Sequence, residues 1–273
     1  MGKVSTEAKN RYFEKIKEYK NSIDKITTHE KTLVELVKSD EKNAGYNRLT
    51  LANQCLNMVS YYILMNNLSV SLLGVKNEAY LNDARKGCYK ALIYLEEAVT
   101  NYIDAPFSEY EEALESIADY TEDKRFYLLR KLGFAIDSVV DGFGKNTKWK
   151  WSFVELDGRY ATVAKNLLYL KTINSDLDPR TEYYSERMGH LKLVKERLQL
   201  AADRYREKYE LSTLRPDDFK LAISYLSALR RLHIYLGESE DADVIKKKAE
   251  IWRTKMETDS KKLEQRNRTP KTK

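Results

Sequence analysis

LAISYLSALRRLHIYLGESEDADVIKKKAEIWRTKM, residues Leu221–Met256, is the stretch whose reading decides the fold. Two runs with helical periodicity flank Leu236-Gly237, a pair suited to ending one helix and opening a turn. Small residues follow at regular steps, with Ala242 five residues after Gly237 and Ala249 seven further on. Such a pattern describes a helical hairpin whose two helices approach closely where side chains are small.

The same periodicity extends outward through the rest of the chain. Residues 5–39 place Tyr12, Ile16, Tyr19, Ile23, Ile26, Leu33 and Val37 at alternating three- and four-residue steps, and only Glu30 interrupts the seam. A stripe this narrow predicts one long helix against one or two others, or a coiled-coil contact. Further helices are expected near 46–73 and 77–103, joined at Gly74, then near 107–119 and 121–143. Asp141-Gly142-Phe143-Gly144 closes the last of these. Another begins in the 150s and runs to Ile173. Asp178-Pro179 predicts a capped start for a helix reaching Leu211. Ser212 or Thr213 is expected to cap the next, with Pro216 in its first turn and Asp217 and Asp218 at its positive end. The final helix starts near Glu238 and frays after Lys262. The sum is eight or nine helices without a strand, and short connections imply antiparallel neighbours.

The Leu221–Met256 hairpin resembles a tetratricopeptide repeat (TPR), with Gly237, Ala242 and Ala249 spaced as three of that family's small positions and Leu229 at a core position. The resemblance implies an array of stacked hairpins that binds peptides or proteins. The chain departs from the family at Arg230, where a small residue is expected, at His233 and Lys246 in place of aromatics, and at Thr254 in place of the closing proline. Gly74 with Ala79 repeats the start of the pattern, but Lys86 stands at its third position. Helices near thirty residues elsewhere exceed a regular 34-residue repeat.

Length and composition set the frame. The chain has 273 residues, 33% charged and 42% hydrophobic, enough to bury a substantial core. Four prolines and ten glycines leave long stretches without a helix breaker. Twenty tyrosines supply much of the apolar surface, and most are expected to pack with the ring inside and the hydroxyl near water. Cys55 and Cys88 lie in apolar helical contexts and predict reduced core thiols in a cytoplasmic protein. The N-terminus has no apolar run. Met1-Gly2 with Thr6 matches the N-myristoylation pattern, which is short enough to recur by chance. Leu49–Val75 holds no charged residue, but asparagines and serines interrupt it. A central helix covered on several sides is expected there, not a membrane span.

Charge is unevenly placed. Asp243–Lys273 contains eleven Lys or Arg and five Asp or Glu, the whole of the formal +6. Ala91–Asp123 contains ten acidic residues and no basic one. A solvated basic tail carrying Lys261, Lys262, Arg266, Arg268, Lys271 and Lys273 could meet nucleic acid, an anionic surface, or the acidic segment of the same or a second copy.

Residue spacing carries no catalytic signature. His29, His190 and His233 are far apart, and Glu186 one turn before His190 is expected to be a surface contact. No H-E-x-x-H, cysteine pair or G-x-S-x-G occurs, and no Glu-x-x-His pair of a di-metal bundle. Gly142-Phe143-Gly144-Lys145 lacks a P-loop's glycine at Val139 and its Ser or Thr at Asn146, so it is expected to be a helix cap and turn. Lys148, Trp149, Lys150 and Trp151 interleave cations with indoles. They would stack on bases if exposed, or anchor a helix start if buried. Arg230-Arg231 has the chemistry for a phosphopeptide, though without the constellation of the helical 14-3-3 proteins.

These residues predict an all-α protein, an array or bundle of about eight to nine antiparallel helices with TPR-like hairpins. Helical parts span 1–143 and 144–262, and a flexible basic tail spans 263–273. The expected role is a non-catalytic scaffold or adaptor without cofactor or metal, binding a protein or peptide through Trp149, Trp151, Arg230, Arg231 and Tyr235. Nucleic-acid binding by the tail and the Lys-Trp patch is the alternative. A homo-oligomer fits either role, and a membrane partner is not expected.

Overall fold

The computed structural model describes residues 4–144, 147–175 and 178–268. Ten α-helices account for most of them, with no strand among the described residues. In order these are α1 (Thr6–Ser39), α2 (Ala44–Leu73), α3 (Glu78–Ala98), α4 (Phe107–Glu115), α5 (Glu122–Phe143), α6 (Lys150–Asn166), α7 (Leu170–Ser175), α8 (Tyr184–Lys208), α9 (Pro216–Tyr235) and α10 (Ser239–Arg268). The protein is all-α, as its periodicity predicts. Met1-Gly2, which carries the lipidation pattern, lies outside the described residues, as do Lys145, Asn146, Lys271 and Lys273.

The long first helix is capped by the Ser5 hydroxyl, which accepts from the Ala8 amide at 3.1 Å. Its seam packs within the chain, against α2, with Tyr12, Ile16, Ile23 and Leu33 buried. Glu30, the residue that interrupts the seam, is buried too. The Tyr94 hydroxyl donates to it at 2.9 Å and Lys90 pairs with it, so its charge is matched from α3.

Helix α2 is uncharged along most of its length because neighbours surround it: α1, α3 and α5 all pack on it. Its polar residues have specific partners. Asn53 and Asn57 accept from Lys131 at 2.6 Å each, and Asn66 accepts from the Asn77 amide at 2.9 Å, beyond the turn at Gly74. No helix among the described residues is long and apolar enough to cross a membrane. Cys55 and Cys88 are free and buried, and burial pushes both thiols up to about 12.

Gly74, Gly144 and Gly237 all sit in the left-handed region and end α2, α5 and α9 as the sequence predicts. Several other boundaries move. The helix expected to reach Ile103 stops at Ala98, and that expected to reach Asp119 stops at Glu115. The helix expected through Ile173 breaks after Asn166, and the break lets Leu167, Leu168 and Ile173 all enter the core. Asp178 does not start α8. Its carboxylate accepts from the Arg180 amide at 2.9 Å and from that guanidinium, closing a turn, and the helix begins six residues later after Tyr183 at φ 58. Thr213 likewise binds in the turn, accepting from Arg215 N, and Arg215 precedes Pro216 at the start of α9. Residues 263–268, expected in the basic tail, continue the backbone of α10, and 269–273 lie outside the described residues.

One contiguous cluster of buried side chains runs from Tyr12 to Trp252, and α5 links its parts by touching α2, α3, α6 and α8. Aromatic rings fill the end built by α6, α8, α9 and α10. Tyr205 stacks on Tyr225 at 5.6 Å, Tyr209 on Phe219 at 4.6 Å, and Trp252 packs on Phe219 at 6.0 Å. Gly158 is required there, since a Cβ on it would lie 2.6 Å from both Tyr205 and Tyr225. Many tyrosines are thus buried whole, hydroxyl included, with Tyr160 donating to the Leu129 carbonyl at 2.8 Å.

His190 is not the surface partner of Glu186. It is 4% exposed, stacks on Phe126, and its Nε2 donates to the Ala164 carbonyl at 2.8 Å. Burial holds its pKa down, at about 4 against an ordinary 6.5. The folded protein therefore resists a proton that the unfolded chain accepts. His190 should contribute stability above about pH 6.5 that is lost as pH falls towards 4. Urea midpoints measured over that range should fall more steeply for the wild type than for His190→Gln. Parallel curves would refute this assignment.

Candidate functional site

Helices α9 and α10 meet at Gly237 and enclose a groove of about 330 Å³. Leu226, Ser227 and Ala249 form its floor, and Arg230, Arg231, Lys246 and Arg253 supply four cations against the single carboxylate of Glu250. Arg230 is half-buried, and its Nε is closed off from water without a hydrogen-bond partner among the described residues. Arg231 is exposed and pairs with Asp104 at 3.0 Å. Lys246 and Arg253 are exposed and point no ion pair back into the chain among the described residues. A half-buried guanidinium with an unpaired Nε, beside the exposed Lys246 and Arg253, is chemistry that favours an oxyanion.

Two of these residues are where the chain departs from the TPR pattern. Arg230 occupies a position expected to be small, and Lys246 one expected to be aromatic. Another of the four departures, His233, closes the turn end of the hairpin. Its Nδ1 lies 2.6 Å from Glu238, which also accepts from Lys195 at 2.6 and 2.7 Å. His233, Glu238 and Asp241 bring three possible ligand atoms within 4.8 Å of one another. The Lys195 ammonium already neutralises Glu238, so this group acts as a polar clasp from α8 to the hairpin.

The other residues singled out from sequence lie elsewhere. Trp149 is half-buried, edge-on to Phe143, with the Arg85 guanidinium 3.8 Å from its ring and Lys148 at 5.3 Å. Trp151 is also half-buried, under Lys150 at 4.6 Å. Both pack against the core at the start of α6, and neither lines the α9–α10 groove. Tyr235 donates its hydroxyl to the Leu170 carbonyl at 2.9 Å, outside the groove as well. Lys261 and Lys262 are exposed on α10, and the backbone of Arg266 and Arg268 continues that helix.

The acidic segment is matched by cations of its own chain: Glu96 by Arg159, Asp104 by Arg231, Glu111 and Glu115 by Lys171, and Glu122 by Arg187. None of those cations belongs to α10, whose main neighbour is α9. Arg253 was missed from sequence because its place in the groove depends on how α10 rolls against α9. Its spacing of seven from Lys246 was the available signal, two turns along one helix face.

The fold and the groove describe an all-helical protein with a cationic cleft at its last hairpin. Residues 8–260 match the model of the TP0443 family, and the chain belongs to that family. No curated protein matches it. A solved structure described as "Computational Design of Self-Assembling Cyclic Protein Homooligomers" aligns over 89% of this chain and 98% of that one, at 12% identity and a TM-score of 0.31. A likeness at that level bears on neither fold nor assembly.

Proposed function

We propose that this protein is a non-catalytic scaffold or adaptor of the cytoplasm, an array of antiparallel helical hairpins with TPR-like geometry at α9–α10, that holds an acidic peptide segment of a partner protein. The observation that supports this most is the charge of the groove, which Arg230, Arg231, Lys246 and Arg253 line against the one carboxylate of Glu250, with the buried Nε of Arg230 unpaired. A peptide's carboxylates would satisfy those donors, and the rigid hairpin lowers the entropic cost of capturing it. Trp149, Trp151 and Tyr235 lie outside the groove, so they serve at most as a second contact area.

The test is fluorescence anisotropy with a labelled Glu- and Asp-rich peptide at low and moderate salt. Arg230→Ala combined with Arg253→Ala should weaken binding by about tenfold or more, roughly 1.4 kcal/mol. Removing residues 263–273 should change it little. Binding of a single-stranded oligonucleotide in place of the peptide, abolished by that truncation and steeply dependent on salt, would instead establish the nucleic-acid reading.

A further inference from the structure

A second cavity, of about 530 Å³, opens where the end of α4, the first turn of α5, the loop around Tyr169 and the chain entering α8 come together. It shares no residue with the α9–α10 groove. Two guanidiniums line it, Arg125 at 5% exposure and Arg187 at 6%. Arg187 is matched by Glu122 at 2.7 Å and donates to the Glu182 carbonyl at 3.0 Å. Arg125 is different. Its Nε donates to the Tyr120 carbonyl at 2.8 Å and its Nη2 to the Ile117 carbonyl at 3.2 Å, with no carboxylate oxygen of the described residues within 4.0 Å. Burial accordingly weakens its hold on its proton. A buried cation whose hydrogen bonds go only to neutral carbonyls, with Glu122 attracting it from beyond ion-pair distance, gains from an anion that completes its shell.

The surrounding backbone points the same way. Helices α5 and α8 both begin at this cavity; the Asp123 carboxylate meets the first amides of α5, whereas the N-cap of α8, Tyr183, makes no side-chain cap bond. The positive end of α8 therefore adds to the field of Arg125. Tyr183, at the cavity wall, is held at φ 58, a conformation that costs a non-glycine residue energy and recurs at ligand sites.

The charges also restrict what enters. Glu115, Glu122 and Glu182 line the cavity alongside the two arginines, and Lys171 pairs with Glu115, so charges of both signs face the ligand. A molecule with one carboxylate and one ammonium balances both signs, and Leu114, Ala118, Tyr169 and Tyr183 offer apolar surface for a side chain. We propose that this cavity binds a small zwitterion of the amino-acid type, its carboxylate on Arg125 and its ammonium towards Glu182.

The experiment is thermal denaturation of the full chain with each of the twenty protein amino acids, followed by calorimetric titration of those that stabilise it. At least one should raise the melting temperature by about 2 °C or more at millimolar concentration. For that amino acid, the deaminated acid and the decarboxylated amine should each bind at least about tenfold more weakly. Arg125→Lys, which keeps charge but not the planar fork, should lower affinity by about tenfold, and so should Glu182→Gln at the rim, which leaves the bonds of Arg125 to the Tyr120 and Ile117 carbonyls intact. The proposal is overturned if no amino acid stabilises the protein. It is equally overturned if inorganic phosphate or the deaminated acid binds as well as the amino acid, or if Glu182→Gln and a folded Arg125→Lys both bind like the wild type.

Discussion

Trp252→Ala should destabilise the protein by about 3–5 kcal/mol. The indole is 3% exposed and completes the row in which Tyr209 stacks on Phe219 and Phe219 meets Trp252 at 6.0 Å. Arg206 and Lys248 flank its faces at 5.1 and 5.0 Å, so the truncation removes two cation–π contacts along with the buried ring. Helix α10 has α9 as its main neighbour, and few other contacts can replace the loss. Chemical denaturation measures the effect. Amide exchange should show α10 opening before the rest of the molecule. Because α10 carries Lys246 and Arg253, anionic peptide binding should weaken together with stability. A loss below about 1 kcal/mol would mean that α10 is not anchored by this ring.

The second large effect is expected at the buried ion pair between Asp157 on α6 and Arg204 on α8. Asp157 is 3% exposed, and burial pushes its carboxyl above the usual carboxylate range while Arg204 pulls it back. Arg204→Ala leaves that charge without its partner. A fully buried pair broken in this way costs about 3–5 kcal/mol, and the partial exposure of Arg204 reduces the expectation to about 2–3 kcal/mol at neutral pH. The pH dependence follows from the raised folded-state pKa. In the window above the unfolded value, the folded protein binds a proton that the unfolded chain does not, so lowering the pH restores stability. The difference between variant and wild type should therefore shrink as the pH falls from neutrality through the acid range. Taking the difference also removes the opposing trend from His190. A deficit that stays constant with pH would show that Asp157 is hydrated in the variant.

The groove illustrates how far a linear pattern reaches. Lys246 stood out in the sequence only as a residue that spoiled a family resemblance, while Arg230 did so and was also, with Arg231, an expected partner contact. In three dimensions they line one groove, and Arg253, two turns beyond Lys246, completes it. The Lys-Trp patch shows the converse. Its alternation of cations and indoles suits a stacking surface, and in the fold the half-buried Trp149 lies against Phe143 and Arg85.

Helix content, the hairpin at Gly237, the covered nature of α2 and the closing glycines were all determined by local sequence. Periodicity and left-handed glycines act over a few residues and need no knowledge of neighbours. The start of α8, the break after Asn166 and the burial of His190 were decided only by tertiary structure. So was the convergence of Arg125, Arg187 and Glu182 on one cavity, since the first of these lies 57 positions before the last. Their energies depend on which surfaces meet and which charges lose water, and those quantities exist only once the helices have packed.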